Sequence, residues 1–349
     1  MPKLPHIALD ATYSIGDVLS GVGLYSREIL WGLAAAHPAI GFDFCYRPHR
    51  YLRARRESLP PNAHRRLLAE PLGPRSASLF HGLNQRLPRL PMRRSVATFH
   101  DLFVMTGEYS TAEFRARFTE QARDAAARAD AIIAVSEFTR GQVIQLLGAD
   151  PANVHVVHHG TRNLPFSGEA TVAREKIVLN VGAIQKRKNI SRLVAAFEAL
   201  PGDWQLVLAG SNGYGAETIL TDIARSPAQS RISVTGYVSP PDLAHWYRRS
   251  SIFAFPSLDE GFGMPVLEAM AAGLPVITSD RSALPEVAGD AALLVNPEDT
   301  DALRQALRRL SSDAELWRDL SHRGSGRARD FTWERAVRET WDVYQTLLR

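Results

Sequence analysis

The sequence predicts an α/β protein of two doubly wound domains, each a parallel sheet covered by helices on both faces. Three observations carry this. Short apolar runs alternate with amphipathic segments of helical period along the 349 residues. The alternation occurs twice, on either side of a loop-like Asn-Leu-Pro-Phe-Ser-Gly stretch near Asn163–Thr171. The short polar motifs sit where apolar runs end, and sheets of this kind bind ligands beyond the C-terminal ends of their strands. Alternating β and α with apolar strands implies parallel sheets buried on both faces.

In the first half, Ile7–Asp10, Phe42–Tyr46, Ser78–His81, Ser95–His100 and Ala131–Val135 read as strands. Helices fit near Tyr25–Ala36 and Thr111–Ala129, and Ser136 before Glu137-Phe138-Thr139 reads as a helix N-cap. In the second half, Lys176–Val181, Trp204–Ala209, Ile232–Thr235, Ile252–Phe255, Leu274–Thr278 and Ala291–Val295 read as strands. Helices fit Ile190–Ala199, Ala216–Ala224, Pro240–Arg248, Pro265–Ala272 and Asp299–Leu310. Phe331 to Tyr344 again has a helical period. The expected domains are 1–164 and 165–330.

Composition bounds the function. With 45% hydrophobic and 22% charged residues the chain is ordinary for a soluble protein and long enough for two domains. No apolar run reaches the ~18 residues a membrane helix needs. Met-Pro-Lys-Leu-Pro leads straight into a strand and lacks a signal-peptide pattern, so a cytoplasmic protein is expected. Cys45 is the only cysteine and excludes an intramolecular disulfide.

The formal charge of +4 is unevenly spread. Residues 1–162 hold 20 Lys and Arg against 14 Asp and Glu, and residues 163–349 hold 21 against 23. Arg47, Arg50, Arg53, Arg55, Arg56, Arg65 and Arg66 cluster in the basic half, followed by Arg86, Arg89, Arg93 and Arg94. Two readings stand: a solvated arginine-rich surface, or contact with an anionic membrane or anionic acceptor. Nucleic acid is not expected, because few aromatics are interleaved and no binding module is present.

The densest signal is Glu260-Gly-Phe-Gly-Met-Pro-Val-Leu-Glu268. It follows the strand Ile252–Phe255 and opens a helix closed by Gly273. Pro265 suits the first helical turn. The open N–H groups there, with the helix dipole, suit an anion or a sugar hydroxyl. Gly261 and Gly263 let a ligand approach the backbone. Two carboxylates are thereby held at separate points around one ligand rich in hydroxyls and phosphate.

This segment resembles the E-x7-E motif of the retaining glycosyltransferases of family 4, enzymes of the GT-B fold with two Rossmann-like domains facing a central cleft. The likeness continues through Ala269–Ser279 and Leu284–Ala291. Weaker echoes fall in the family's order at Gly21–Tyr25, Phe99–Leu102, Ala134–Glu137, Val181–Asn189 and Gly236–Val238. The resemblance implies that the last helix, within 331–349, crosses back onto the first domain.

The resemblance also assigns roles. Lys186-Arg187-Lys188-Asn189 is similar to the family's pyrophosphate-binding Arg-Lys-Asn signature. Arg187 would offer a planar fork and Lys188 a point charge, although Ala183 stands where relatives often carry a further arginine. Glu260 resembles the donor-sugar residue, with the backbone of Gly261, Phe262, Gly263 and Met264 holding sugar hydroxyls. Glu268 resembles the acceptor of the ribose hydroxyls.

His100 would lie against the donor sugar; Asp101 either orients it or caps a loop. Gly21 and Gly23 fail as a dinucleotide fingerprint, since Ser26 replaces the third glycine. They read either as a loop facing the donor's phosphates or as a plain turn before a helix starting near Leu24. His158-His159 reads as linker chemistry, and the side chains of Tyr237 and Val238 as packing. Asp299-Thr300-Asp301 reads as a helix cap, and no metal or other cofactor is expected.

The implied activity is retaining transfer of a hexose from a nucleotide diphosphate sugar to a hydroxyl of a glycan or lipid-linked oligosaccharide in cell-surface polysaccharide synthesis. GDP-mannose is the first donor and a UDP-sugar the second, with the protein at the inner face of the cytoplasmic membrane. The rivals are a GT-B nucleotide-sugar hydrolase or epimerase, a non-catalytic sugar-nucleotide binder and a dehydrogenase.

Overall fold

The computed structural model describes residues 6–16, 18–69, 73–162, 164 and 173–349. The chain divides into two compact units. One comprises Met1–Thr106, Ala112–Gly160 and Thr332–Arg349, the other Gly107–Thr111 and Thr161–Phe331. Met1–Pro5 and, apart from Leu164, the stretch Asn163–Thr171 read above as the interdomain loop lie outside the described residues.

The first unit is built on β1 (His6–Asp10), β2 (Gly41–Tyr46), β3 (Ala63–Leu67), β4 (Leu79–Gly82), β5 (Ser95–Phe99), β6 (Ala131–Ala134) and β7 (Val154–Val156). They pair in parallel in the order β3-β2-β1-β4-β5-β6-β7. The strand order reverses beside β1, which lies between β2 and β4; Leu9 faces Phe44 on one side and His81 on the other. The helices are α1 (Gly21–Ala36), α2 (Pro48–Ala54), α3 (Phe103–Thr106), α4 (Ala112–Arg128) and α5 (Glu137–Leu147). The last helix, Trp333–Leu348, packs against α1 so closely that a Cβ on Gly32 would sit 2.4 Å from Val337.

The second unit holds β8 (Ile177–Val181), β9 (Gln205–Ala209), β10 (Ile232–Gly236), β11 (Ile252–Phe255), β12 (Val276–Ser279) and β13 (Ala292–Val295). They are parallel in the order β10-β9-β8-β11-β12-β13. Here the order reverses between β8 and β11. The helices are α6 (Ile190–Phe197), α7 (Ala216–Arg225), α8 (Pro240–Arg249), α9 (Met264–Ala271), α10 (Leu284–Ala288), α11 (Thr300–Ser312) and α12 (Ala314–Ala328). A core of Val178, Leu206, Leu208, Ile252, Ala254 and Ile277 meets Leu193, Phe197, Leu303 and Leu307. The central strands are buried along their whole length, as a sheet covered on both faces requires.

Two parallel sheets with covering helices agree with the α/β reading, and the differences have local causes. The edge strand β3 and the three-residue β7 were not expected. In Ala63-His-Arg-Arg-Leu67 the open side carries His64 and Arg66 and the half-buried side another arginine, Arg65, so composition disguised it. α1 begins at Gly21 rather than near Leu24, because the Ser20 hydroxyl accepts a bond from Gly23 N–H at 3.2 Å. Gly21 and Gly23 therefore form a first helical turn, not a loop. A Cβ on Gly23 would lie 2.8 Å from the Tyr13 carbonyl oxygen, which explains the glycine.

The arginine cluster also resolves into separate tasks. Arg47 pairs with Asp10 at 3.5 Å, Arg66 with Asp43 at 3.0 Å and Arg94 with Asp130 at 3.2 Å. Arg65 donates to the Glu57 carbonyl at 2.6 Å. Arg55 and Arg56 remain exposed at the end of α2, near Leu52, which is 73% exposed.

Candidate functional site

In the second unit the strand reversal brings distant loops together. β8 and β11 are neighbours, so the loops after Val181 and after Phe255 leave the sheet side by side. The first ends in a 3-10 turn, Lys186–Lys188, and Asn189 in a left-handed conformation (φ 58°). Asparagine tolerates this conformation, and its side-chain amide is used as well. Nδ2 of Asn189 donates to the carbonyls of Pro256 at 3.0 Å and Pro297 at 2.6 Å. Leu258 N–H donates to the Arg187 carbonyl at 2.9 Å. The two loops are thus pinned by backbone as well as by charge.

Glu260 is the centre of that charge. Its carboxylate pairs with Arg187 at 2.8 Å and with Lys188 at 2.6 Å, and all three residues are buried. Arg187 also donates to the Asp259 carbonyl, and the Lys188 ammonium lies 4.5 Å from the Phe255 ring centroid. Burial pushes the Glu260 carboxyl up, but the two cations outweigh it and hold the group at about 2. These three side chains carry two positive charges against one negative, with the buried Asp259 beside them. Buried cations placed in this way can stabilise a developing phosphate anion.

The glycine loop continues into α9. Gly263 has φ 111° and stands at the N-cap of α9, where a Cβ would come 2.7 Å from Leu284. Pro265 falls in the first turn. The Phe262 side chain is core, edge-on to Phe331 at 5.8 Å. Ala283 N–H donates to the Glu260 carbonyl at 3.2 Å, and the adjacent Ser282 has φ 57°.

Glu268 lies one turn into α9 and is 2% exposed. Tyr247 of α8 donates to its Oε2 at 2.9 Å, and Arg162 approaches Oε1 at 3.1 Å. Burial raises this carboxyl, with Arg162 and Tyr247 opposing the rise. The helix-start reading of Glu268, a carboxylate favoured only by the dipole, does not describe this buried pair.

In the first unit, His100 follows β5 and is 8% exposed. Its Nε2 lies 3.0 Å from the Leu83 carbonyl, which can only accept. Nε2 therefore carries the proton and Nδ1 the lone pair. Burial holds the ring down at about 4, so it is neutral at ordinary pH. Nδ1 has no hydrogen-bond partner among the described residues, so Leu83, not Asp101, orients the ring.

His100 packs edge-on to Tyr25 at 4.7 Å and beside His159 at 5.3 Å. His159 stacks on Tyr25 at 4.9 Å and on Trp333 at 5.9 Å. The reading of His159 as linker chemistry is thereby corrected: it is a buried aromatic element. Behind it runs a buried chain from Tyr344 through His81 and Thr98 to the Tyr25 hydroxyl, with spacings of 2.5, 2.8 and 3.0 Å.

Other expectations divide. Asp299 caps α11, accepting from Asp301 and Ala302 N–H at 2.9 Å, and Ser136 caps α5 by accepting from Thr139 N–H at 3.0 Å. Tyr237 is 50% exposed, which overturns its packing role. Sequence reasoning missed Arg162, Tyr247 and Tyr25. The alternation of α8 contained Tyr247, but nothing local marked it as a partner for a carboxylate 21 residues away.

Comparison with known proteins agrees with this architecture. Residues 166–327 match the family model described as glycosyl transferases group 1, and residues 46–162 match that of Glycosyltransferase Family 4. The O-antigen chain mannosyltransferase B of Escherichia coli is 31% identical over 286 residues, spanning 77% of this chain and 74% of that protein. The chain spans far less of another relative, 29% of a serotype-specific mannosyltransferase, WbdA, of Escherichia coli. Sucrose-phosphate synthase from Thermosynechococcus elongatus shares the fold with a TM-score of 0.79 at 24% identity, each chain covered to 99%. With both halves matched and a 31% identical relative covering most of each chain, this protein belongs to the group 1 glycosyltransferases of the GT-B fold.

Proposed function

We propose that this glycosyltransferase moves a hexose from a nucleotide diphosphate sugar to an acceptor hydroxyl with retention of anomeric configuration and without a bound metal. The observation that carries the reading is the buried cluster of Arg187, Lys188 and Glu260. Arg187 and Lys188 supply the charge that stabilises the leaving nucleoside diphosphate. Glu260 holds hydroxyls of the sugar as its ring becomes oxocarbenium-like. The bond from C1 to the phosphate oxygen breaks, and C1 bonds to the acceptor oxygen. The acceptor proton passes to the departing phosphate on the same face. Glu268 receives the ribose hydroxyls, the Gly261–Met264 backbone faces the sugar, and neutral His100 contributes Nδ1 as an acceptor to the donor hexose.

Mannose from GDP-mannose is the preferred donor, supported by the name of the 31% identical relative. That name also supports a lipid-linked or oligosaccharide acceptor in O-antigen-like polysaccharide synthesis. A UDP-sugar is the second reading, favoured by the fold neighbour HepE of Anabaena, solved in complex with UDP and glucose. HepE has a TM-score of 0.74 at 16% identity, each chain covered to 99%. A basic recess lined by Tyr13, Ser20, Arg50 and Arg53 supports an anionic acceptor. Exposed Leu52 among Arg50, Arg55 and Arg56 supports contact with an anionic membrane surface at the cytoplasmic face.

The test is a thermal-shift panel with GDP, UDP, ADP, NAD and the main sugar conjugates, with and without EDTA. A ligand at 100 times its dissociation constant stabilises by about 2.7 kcal/mol. A shift with GDP and GDP-mannose that survives EDTA is expected. A shift confined to UDP conjugates overturns the donor, and no shift with any nucleotide overturns the assignment of the site.

A further inference from the structure

We propose that Arg162 is the positioning residue that keeps Glu268 ionised and correctly directed for the nucleotide's ribose diol; this rests on the reading of Glu268 given above. The argument starts from α9 itself. Three and four residues either side of Glu268 stand Pro265, Met264, Ala271 and Ala272, none of which carries a charge. The helix cannot compensate its own buried carboxylate, and an uncompensated one takes up a proton instead.

Compensation comes from two other elements. Tyr247 of α8 donates one hydrogen bond to Oε2. The Arg162 Nε lies 3.1 Å from Oε1 yet makes no directed hydrogen bond among the described residues, so its effect there is mainly Coulombic. That leaves lone pairs on both oxygens. A carboxylate offers about four acceptor positions, and among the described residues Tyr247 uses one. Two adjacent ribose hydroxyls, both donating, fit the remainder. A protonated carboxyl would set a donor against one of them.

Arg162 is held for this task. Its neighbour Thr161 is fixed through N–H to the Phe331 carbonyl at 2.9 Å and through Oγ1 to the Ala328 carbonyl at 3.2 Å. On its other side, Leu164 N–H donates to the Arg162 carbonyl at 2.9 Å. The guanidinium is about a quarter exposed, while the carboxylate it faces is buried. Arg162 and Tyr247 are the groups that oppose the effect of burial on this carboxyl.

The test is calorimetric binding of GDP and UDP, and of their 2′,3′-dideoxy forms, between about pH 6 and pH 8.5. The native protein binds the ribose nucleotides with a flat profile. Arg162→Met is expected to bind them at least about tenfold more weakly at the acid end and to recover as pH rises, because Glu268 now titrates within the range. Arg162→Lys restores the flat profile, and the dideoxy nucleotides are indifferent to all three. A flat profile for Arg162→Met overturns the proposal. Should that variant not fold, Arg162→Gln keeps most of the stem and carries the same test. Separately, Glu268→Gln should erase the preference for ribose over dideoxy nucleotides. If that preference survives, the ribose reading of Glu268 fails, whatever Arg162 does.

Discussion

Lys188 and Glu260 should be strongly coupled in a double-mutant cycle. Lys188→Met removes the cation 2.6 Å from a carboxylate that is 7% exposed and leaves it with Arg187 alone. Breaking a buried pair costs about 3–5 kcal/mol, and the surviving arginine places this variant at about 3 kcal/mol. Glu260→Gln removes the carboxylate that both buried cations share, so it should cost about 4–5 kcal/mol. An independent route gives a similar scale. The Glu260 carboxyl is lowered from 4.5 to about 2, and at about 1.4 kcal/mol per pKa unit this is worth about 3 kcal/mol.

In the double variant Arg187 faces a neutral amide, so the combined cost should fall short of the sum by about 2–3 kcal/mol. The loss of the Lys188 contact with the Phe255 ring occurs with and without Glu260 and cancels in the cycle. The assay is urea unfolding at neutral pH. If the two units unfold separately, the transition to read is the one reported by Trp204, Trp246 and Trp317. The pH dependence supplies a second reading. Because the folded value is depressed, Glu260 contributes fully above about pH 4.5, and the contribution is lost as pH falls towards 2. Glu260→Gln should abolish that portion of the acid limb. Costs that add to within about 0.5 kcal/mol would refute the coupling.

Three further outcomes follow from the geometry. Burial holds His81 at about 3 and His100 at about 4, so each takes up a proton on unfolding. Their contribution is intact above about pH 6.5 and falls below it, and His81→Asn should lower the proton uptake by about one in urea midpoints measured against pH. Asn189→Asp should cost more than Asn189→Gly: glycine keeps the left-handed backbone and loses two hydrogen bonds, about 1–3 kcal/mol, whereas aspartate also turns an acceptor on the Pro256 and Pro297 carbonyls. Equal melting temperatures would contradict this. Gly263→Ala should cost more than about 1 kcal/mol, since it meets both a φ of 111° and Leu284 at 2.7 Å; an unchanged melting temperature would show that the loop relaxes freely.

Local chemistry was legible in the sequence. Apolar strands alternating with amphipathic helices announced two covered parallel sheets. Ser136 and Asp299 announced their caps, and Pro265 the first turn of α9. Each of these depends on residues within a few positions of one another. Edge strands were less legible, because β3 is half-exposed and rich in arginine and β7 has only three residues.

What the tertiary structure alone decided is how distant segments meet. Strand order makes β8 and β11 neighbours, and that order sets Lys188 against Glu260, 72 positions away. It lets Asn189 bridge Pro256 and Pro297, 67 and 108 positions away. Packing within the first unit stacks His159 between Tyr25 and Trp333, and the loop residue Arg162 gives Glu268 its counter-charge. Periodicity reports which face of an element is buried. Which partner it is buried against depends on the packing of the whole sheet, and no window of neighbouring residues contains that information.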